Sequence, residues 1–142
     1  MNKNIEKLVK EGIKKISPYE PGKPIEELQR EYKIKKTIKL ASNENPFGPS
    51  KKVKKAIEKS MENINRYPDG SSYELKNELS KYLKLPVENI MIGSGSSEVI
   101  SLTLETFINP GEEILYPWPS FTMYRIFALK NNAIGVEIQL EN

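Results

Sequence analysis

The last third of the chain alternates between short apolar segments and helical segments, and this alternation constrains the fold most strongly. Apolar segments at 89–92, 113–116 and 134–140 are separated by helical patterns that end near Phe107 and Leu129. Because parallel strands need long crossover connections, this order predicts an α/β fold with a parallel sheet. Such sheets are covered on both faces. No helical pattern follows the third segment, so we expect a chain truncated part-way through the sheet.

The residues before this sheet predict helices separated by loops. Apolar residues recur every three or four positions from Ile5 to Ile16, which indicates one helix face. A short helix is predicted over about 25–32, and a strand at 37–42. The proline-rich segment 17–24 is predicted to be a loop.

Serine residues mark three predicted helix starts. Ser50 precedes a helical pattern, and Ser71 stands three residues before Glu74, which is capping-box spacing. Ser120 is placed to cap a helix that runs to about Leu129.

Composition excludes several classes of function. The chain has no Cys and no His, which removes thiol nucleophiles, Ser-His-Asp triads and the usual zinc sites, so we expect no metal. The lysine run at 51–55 lacks interleaved aromatic residues and indicates a solvated helix face rather than a nucleic-acid site. No apolar run is long enough for a membrane span or a signal peptide. We therefore expect a cytoplasmic protein without nucleic-acid or membrane partners.

The segment Gly93–Glu98 is a candidate phosphate site at a strand-to-helix turn. The first amides of a helix have no intrahelical partner and lie at the positive end of its dipole, where small residues let an anion approach. Glu98 stands where a dinucleotide fingerprint needs Gly, and no P-loop lysine follows. A tight helix start without a ligand explains the same residues equally well.

Five segments in a fixed order give a more specific signal: SPYEPGKP, LASNENPFGPS, NRYPDGSSYELK, MIGSGSSEVI and YPWPSFTMYRIFA. Together they resemble the N-terminal part of histidinol-phosphate aminotransferases, in the fold-type-I pyridoxal-phosphate family. The resemblance runs from about Ile16 to Leu140. It implies an N-terminal helix and arm at 1–36, a small-domain or entrance segment at 37–88, and the start of the large cofactor-binding α/β domain at 89–142.

The resemblance also implies residues that bind pyridoxal 5′-phosphate. Gly95, Ser96 and Ser97 match the turn that holds the cofactor phosphate, with Glu98 in the first helical turn. Phe121 matches the aromatic residue that stacks on the pyridine ring, although taken alone it indicates an ordinary helix core residue.

Other residues match positions that contact the substrate or a second subunit. Tyr67 matches a tyrosine that reaches the cofactor phosphate of the neighbouring subunit, which implies a homodimer. Tyr19 matches a residue of the substrate pocket, and Asn43 and Asn45 match the loop at the active-site entrance. Taken alone, these residues indicate packing aromatics and an Asx-rich turn.

The family's Schiff-base lysine and several further cofactor and substrate ligands lie beyond the matched segment, so no catalytic residue is assigned. The implied reaction moves an amino group between histidinol phosphate, or imidazole-acetol phosphate, and glutamate or 2-oxoglutarate. We expect this chain alone to be inactive. Alternatives are a threonine-phosphate decarboxylase, an aromatic aminotransferase, a non-catalytic phosphate-binding module and a decayed gene product.

Overall fold

A computed structural model describes residues 6–19 and 21–141. The helices are α1 (Glu11–Lys14), α2 (Ile25–Tyr32), α3 (Lys51–Ser60), α4 (Tyr73–Leu83), α5 (Ser96–Phe107) and α6 (Met123–Lys130), and the strands are β1 (Glu113–Trp118) and β2 (Ile134–Gln139). Short 3₁₀ helices occupy Met61–Asn63 and Val87–Asn89. No helix in these ranges is long and apolar enough to cross a membrane.

The described residues divide into two compact units. The first unit comprises those up to Tyr19 together with those from Ser71 onward, and the second comprises residues 21–70. The predicted division of a whole enzyme into segments 1–36, 37–88 and 89–142 is a separate matter and stays a prediction.

The first unit is built on a parallel pair of strands. β1 and β2 pair in register from Glu113 opposite Ile134 to Trp118 opposite Gln139, and α6 forms the crossover between them. The predicted α/β class and parallel pairing are confirmed. The carboxyl ends of parallel strands lie at the same edge of a sheet. The loop that follows Trp118 therefore starts at that edge.

The core of the first unit lies between this strand pair and α6. Tyr116, Ala128 and Ala133 are the buried apolar residues of the described chain. The ring of Tyr116 stacks on Tyr124 of α6. Helix α5 is joined to α6 by Lys130, whose Nζ donates to Glu105 Oε1 at 2.6 Å and to Ser101 Oγ at 2.9 Å. The exposed charges contribute little stability, so packing on Tyr116 dominates.

The opposite face of the strand pair is apolar and open. Side chains alternate between the two faces of a sheet, so Leu115 lies opposite to Tyr116. Leu115 is 68% exposed, and Ile134 and Ile138 are also exposed. These side chains therefore form an open apolar surface.

The predicted N-terminal helix is interrupted. The pattern from Ile5 to Ile16 predicts one helix, but only Glu6 and Glu11–Lys14 (α1) are helical among the described residues, and Ile5 lies outside them. Lys10 has an extended backbone, with φ −56° and ψ 141°, which interrupts the helix. The Gly12 amide donates to Asn132 Oδ1 at 2.9 Å. The segment around Gly12 therefore packs against the end of α6, and the helix does not continue through Lys10.

The second unit contains α2 and α3 with the loops around them. α2 lies where predicted, and Ser50 caps α3, its hydroxyl accepting from the Val53 amide at 3.3 Å. The strand predicted at 37–42 is wrong, because no described residue pairs with this segment in a sheet. β propensity alone cannot hold a strand whose backbone groups are unpaired.

Three further predictions for the first unit need correction. Residues 89–92 form no strand: Ile90 is extended, but no described strand pairs with it. α4 begins one residue later than the capping box predicts, with Ser72 as N-cap and no cap bond from its side chain. The Ser120 hydroxyl donates to the Pro117 carbonyl, so α6 begins only after Thr122.

Gly12→Ala should destabilise the first unit, because an added Cβ would lie 1.8 Å from the Leu129 carbonyl oxygen. Overpacking of this kind typically costs about 1–3 kcal/mol, measurable by urea unfolding. Gly70→Ala is the matched control, since a Cβ there meets nothing within 4 Å. Equal stability of the two variants would show that Gly12 is not closely packed.

Candidate functional site

The turn from Gly93 to Glu98 has the backbone geometry of an anion seat. Gly95 has φ 86° and ψ 174°, a conformation that side chains rarely adopt. Its amide donates back to the Gly93 carbonyl at 2.8 Å, and its own carbonyl accepts from the Val99 amide at 3.4 Å. Gly95 thereby turns the chain abruptly into α5.

The first amides of α5 have no acceptor in the described part of the protein. Val99 donates to Gly95, so the amides of Ser96, Ser97 and Glu98 are left without an intrahelical partner. They lie at the positive end of a helix of 12 residues. Gly95 and Ser96 are exposed, and no atom lies within 4 Å of a Cβ placed on Gly95. An oxyanion can therefore approach these donors.

Glu98 supports the turn from within. Its Oε2 accepts from the Ser94 amide, so that amide is not available to a ligand. A carboxylate in the first turn of a helix is also stabilised by the dipole. The contact therefore orders the Gly93–Glu98 loop, and the predicted role of Glu98 in cofactor binding stays a prediction.

Phe121 follows the carboxyl end of β1, in the turn before α6 rather than in the helix core. Phe121 is 40% exposed, and its ring meets Tyr124 edge to face, with the ring centroids 6.1 Å apart. Part of the ring is therefore open for a flat ligand to stack on it.

An apolar groove of about 380 Å³ runs beside β1. Val99, one residue after Glu98, and Tyr124, three residues after Phe121, both line it together with Pro117. The helices that follow the turn and Phe121 thus share this groove, although neither residues 93–98 nor Phe121 lines it.

Tyr116 is a central residue of this region that the sequence analysis did not identify. It is 5% exposed, and its hydroxyl donates to Glu137 Oε1 at 3.3 Å. Burial, followed by the negative charge of Glu137, raises the pKa of the Tyr116 hydroxyl. The density of aromatic residues in YPWPSFTMYR was the available signal.

The remaining predicted site residues lie elsewhere along the chain. Asn43, Asn45 and Tyr67 belong to the second unit, where Tyr67 is fully exposed. Asn45 forms an Asx turn: its Oδ1 accepts from the Phe47 amide at 3.1 Å, and its Nδ2 donates to the Gly48 carbonyl at 3.2 Å. Tyr19 is an exposed residue of the first unit. Their roles in binding substrate or a second subunit stay predictions.

The described residues contain no cluster of three or more carboxylates that could hold a metal ion.

Comparison with known proteins identifies relatives of this chain. The model of the family aminotransferase class I and II matches residues 35–137. A histidinol-phosphate aminotransferase of Caldicellulosiruptor saccharolyticus is 47% identical over 135 residues, covering 95% of this chain and 38% of that protein. One from Desulfotalea psychrophila is 43% identical over 134 residues, covering 94% of this chain and 35% of that protein.

A solved structure has the same fold as this chain. The crystal structure of histidinol-phosphate aminotransferase from Sinorhizobium meliloti, in complex with pyridoxal-5′-phosphate, superimposes with a TM-score of 0.79 at 20% identity. The match covers 94% of this chain and 35% of that one.

The chain belongs to the class I and II aminotransferases. It is similar to the N-terminal part of histidinol-phosphate aminotransferases, and it spans 38% and 35% of the lengths of the two curated relatives.

Gly95→Ala should weaken phosphate binding by roughly tenfold, because a strained turn misaligns one charge-assisted hydrogen bond. Gly111→Ala is the matched control: its φ of 88° is close to the 86° of Gly95, and neither Cβ would meet another atom. Both substitutions should lower stability by about 1–3 kcal/mol, measured by urea unfolding. Calorimetric titration with inorganic phosphate distinguishes the two variants, because only Gly95→Ala should bind phosphate more weakly. Equal phosphate affinity of the two variants would exclude the Gly95 turn as the phosphate site.

Proposed function

We propose that this chain supplies the phosphate seat, the stacking ring and the entrance loops of a pyridoxal-phosphate-dependent aminotransferase that acts on histidinol phosphate. The observation that carries the proposal is the turn at Gly95, where the three amides that begin α5 have no acceptor among the described residues. Membership of the class I and II aminotransferases supports the assignment of a phosphate-bearing cofactor to that turn.

The residues of the turn suit the phosphate of pyridoxal 5′-phosphate. The amides of Ser96, Ser97 and Glu98 would hold its oxygens, and the hydroxyls of Ser96 and Ser97 can donate further hydrogen bonds. A phosphate monoester carries about 1.5–2 negative charges near neutral pH, which the helix dipole favours. Gly95 keeps the approach to these donors open.

Phe121 would hold the flat part of the same ligand. The exposed part of its ring can stack on a pyridine ring, which orients the cofactor relative to its phosphate. When bound, pyridoxal phosphate supplies an electron-accepting ring for carbanion chemistry. The ring of Phe121 is supported by its edge-to-face contact with Tyr124 of α6.

The proposed substrates are histidinol phosphate, or imidazole-acetol phosphate, with glutamate or 2-oxoglutarate, and the proposed location is the cytoplasm. Identities of 47% and 43% to histidinol-phosphate aminotransferases support this choice over a threonine-phosphate decarboxylase or an aromatic aminotransferase. Tyr19, Asn43 and Asn45 are proposed substrate-pocket and entrance residues.

A homodimer is part of the proposal. Tyr67 is fully exposed, which suits a side chain that reaches the cofactor phosphate of a second subunit.

Pyridoxine 5′-phosphate tests the binding proposal, because it lacks the aldehyde that would react with surface lysines. The chain has one tryptophan, Trp118, three residues before Phe121. We expect its fluorescence to change on titration, with pyridoxine at least about tenfold weaker since it lacks the charged hydrogen bonds. Phe121→Leu should lower the affinity for pyridoxine 5′-phosphate. Phe107→Leu is the control and should leave this affinity unchanged, because Phe107 is an exposed residue. Equal affinity for pyridoxine with and without its phosphate would contradict the proposal.

A non-catalytic phosphate-binding module is the second candidate, because the described residues present the seat without an assigned catalytic lysine. Transamination of histidinol phosphate is measured with the 142-residue chain. We expect no turnover from this chain alone. The chain joined to the rest of a family enzyme should turn over histidinol phosphate. Measurable turnover by the chain alone would refute the expected inactivity, whereas failure of the joined enzyme would favour the module.

A further inference from the structure

Three aromatic rings form a continuous line from the strand pair to the proposed site. The rings of Tyr116 and Tyr124 stack with centroids 6.0 Å apart and an interplanar angle of 30°. Tyr124 in turn meets Phe121 edge to face, with the centroids 6.1 Å apart at 86°. Both arrangements are favourable for aromatic pairs. Exposure rises along the line, from 5% at Tyr116 to 40% at Phe121.

The buried end of this line is fixed at several points. The Tyr116 hydroxyl donates to Glu137 Oε1 at 3.3 Å, and Tyr116 lies directly opposite Glu137 in the strand register. Gly135 makes room for the ring, since a Cβ there would lie 2.9 Å from the Tyr116 hydroxyl oxygen. Burial, followed by the negative charge of Glu137, raises the pKa of this hydroxyl above its ordinary value.

The exposed end has fewer restraints. Phe121 lies outside any helix or strand, in the turn between β1 and α6. Its carbonyl accepts from the Tyr124 amide at 3.1 Å, so the turn and the ring contact link the same two residues. Tyr124 is therefore the link through which the buried Tyr116 restrains the orientation of the Phe121 ring.

We propose that Tyr124 and Tyr116 are positioning residues that hold the Phe121 ring ready to stack on the ring of a phosphate-bearing planar ligand. This inference rests on the proposed function and adds two residues to the same site. Neither tyrosine needs to touch the ligand. Their effect is confined to ligands that have a ring, because the phosphate is held by the separate turn at Gly95.

Four variants of the 142-residue chain test the inference: Tyr124→Leu, Tyr124→Phe, Tyr116→Phe and Tyr82→Leu. Tyr124→Leu removes the ring that contacts Phe121, and Tyr124→Phe restores that ring without the hydroxyl. Tyr82→Leu is the matched control, because Tyr82 is 83% exposed in α4. Each variant is titrated with pyridoxine 5′-phosphate and, separately, with inorganic phosphate, and near-ultraviolet circular dichroism reports the ordering of the rings.

We expect Tyr124→Leu to lower the affinity for pyridoxine 5′-phosphate by about two- to tenfold, the range that one aromatic pair contributes. Its affinity for inorganic phosphate should not change, and Tyr124→Phe and Tyr82→Leu should both behave like the parent chain. Tyr116→Phe should also lower the affinity for pyridoxine 5′-phosphate, because it removes the hydroxyl that donates to Glu137.

Other outcomes overturn the inference in distinguishable ways. Equal losses for both ligands in Tyr124→Leu would mean a general structural role. Unchanged binding of pyridoxine 5′-phosphate, with altered dichroism, would mean that the Phe121 ring needs no support. If the parent chain binds inorganic phosphate but not pyridoxine 5′-phosphate, the positioning role and the cofactor assignment both fail, while the anion seat stands.

Discussion

The parallel pairing of β1 (Glu113–Trp118) with β2 (Ile134–Gln139) is the constraint on which the first unit depends. Parallel strands cannot be joined by a hairpin, so the chain between them must cross over one face of the pair. Helix α6 makes this crossover and covers the face that carries Tyr116. The same geometry starts the crossover at the carboxyl end of β1, which is where Phe121 lies. The position of the Phe121 ring thus follows from strand pairing.

The packing is one-sided, and this has an energetic consequence. Tyr116, Ala128 and Ala133 are buried, whereas Leu115 on the other face is largely exposed. Burial of apolar side chains is the main source of folding stability. A sheet face of this kind therefore contributes little until another apolar surface covers it. The chain spans 38% of its relative from Caldicellulosiruptor saccharolyticus, so the comparison leaves ample length in that protein for such a surface.

Sequence patterns predicted those parts of the structure that are decided locally. Helix α2 and the Ser50 cap of α3 lie where expected, because helical hydrogen bonds and caps join residues close in sequence. Both strands of the parallel pair were also predicted, although their predicted last residues differ slightly from the observed ones. The Gly95 turn was predicted from small residues at a helix start, and its positive φ agrees with that interpretation.

The errors arise where a distant partner decides the outcome. Residues 37–42 and 89–92 have strand-like patterns, but no described strand offers them hydrogen bonds. The predicted helix at 5–16 is broken near Lys10 because Gly12 docks on Asn132, far along the chain. Tyr116 and Tyr124 were missed for the same reason, since their contact depends on the crossover. The roles of Tyr19, Asn43, Asn45 and Tyr67 depend on a ligand or a second subunit, and they stay predictions.

The central claim is that an anion binds the helix-start amides after Gly95, and amide-resolved NMR tests it most directly. The ¹⁵N-labelled chain would be titrated with inorganic phosphate, and each backbone amide would be followed. We predict the largest, saturable shifts at Ser96, Ser97 and Glu98, whose amides lack an acceptor in the described structure. The lysine-rich helix α3 (Lys51–Ser60) is the competing anion site. Shifts confined to α3, with the turn unchanged, would contradict the account.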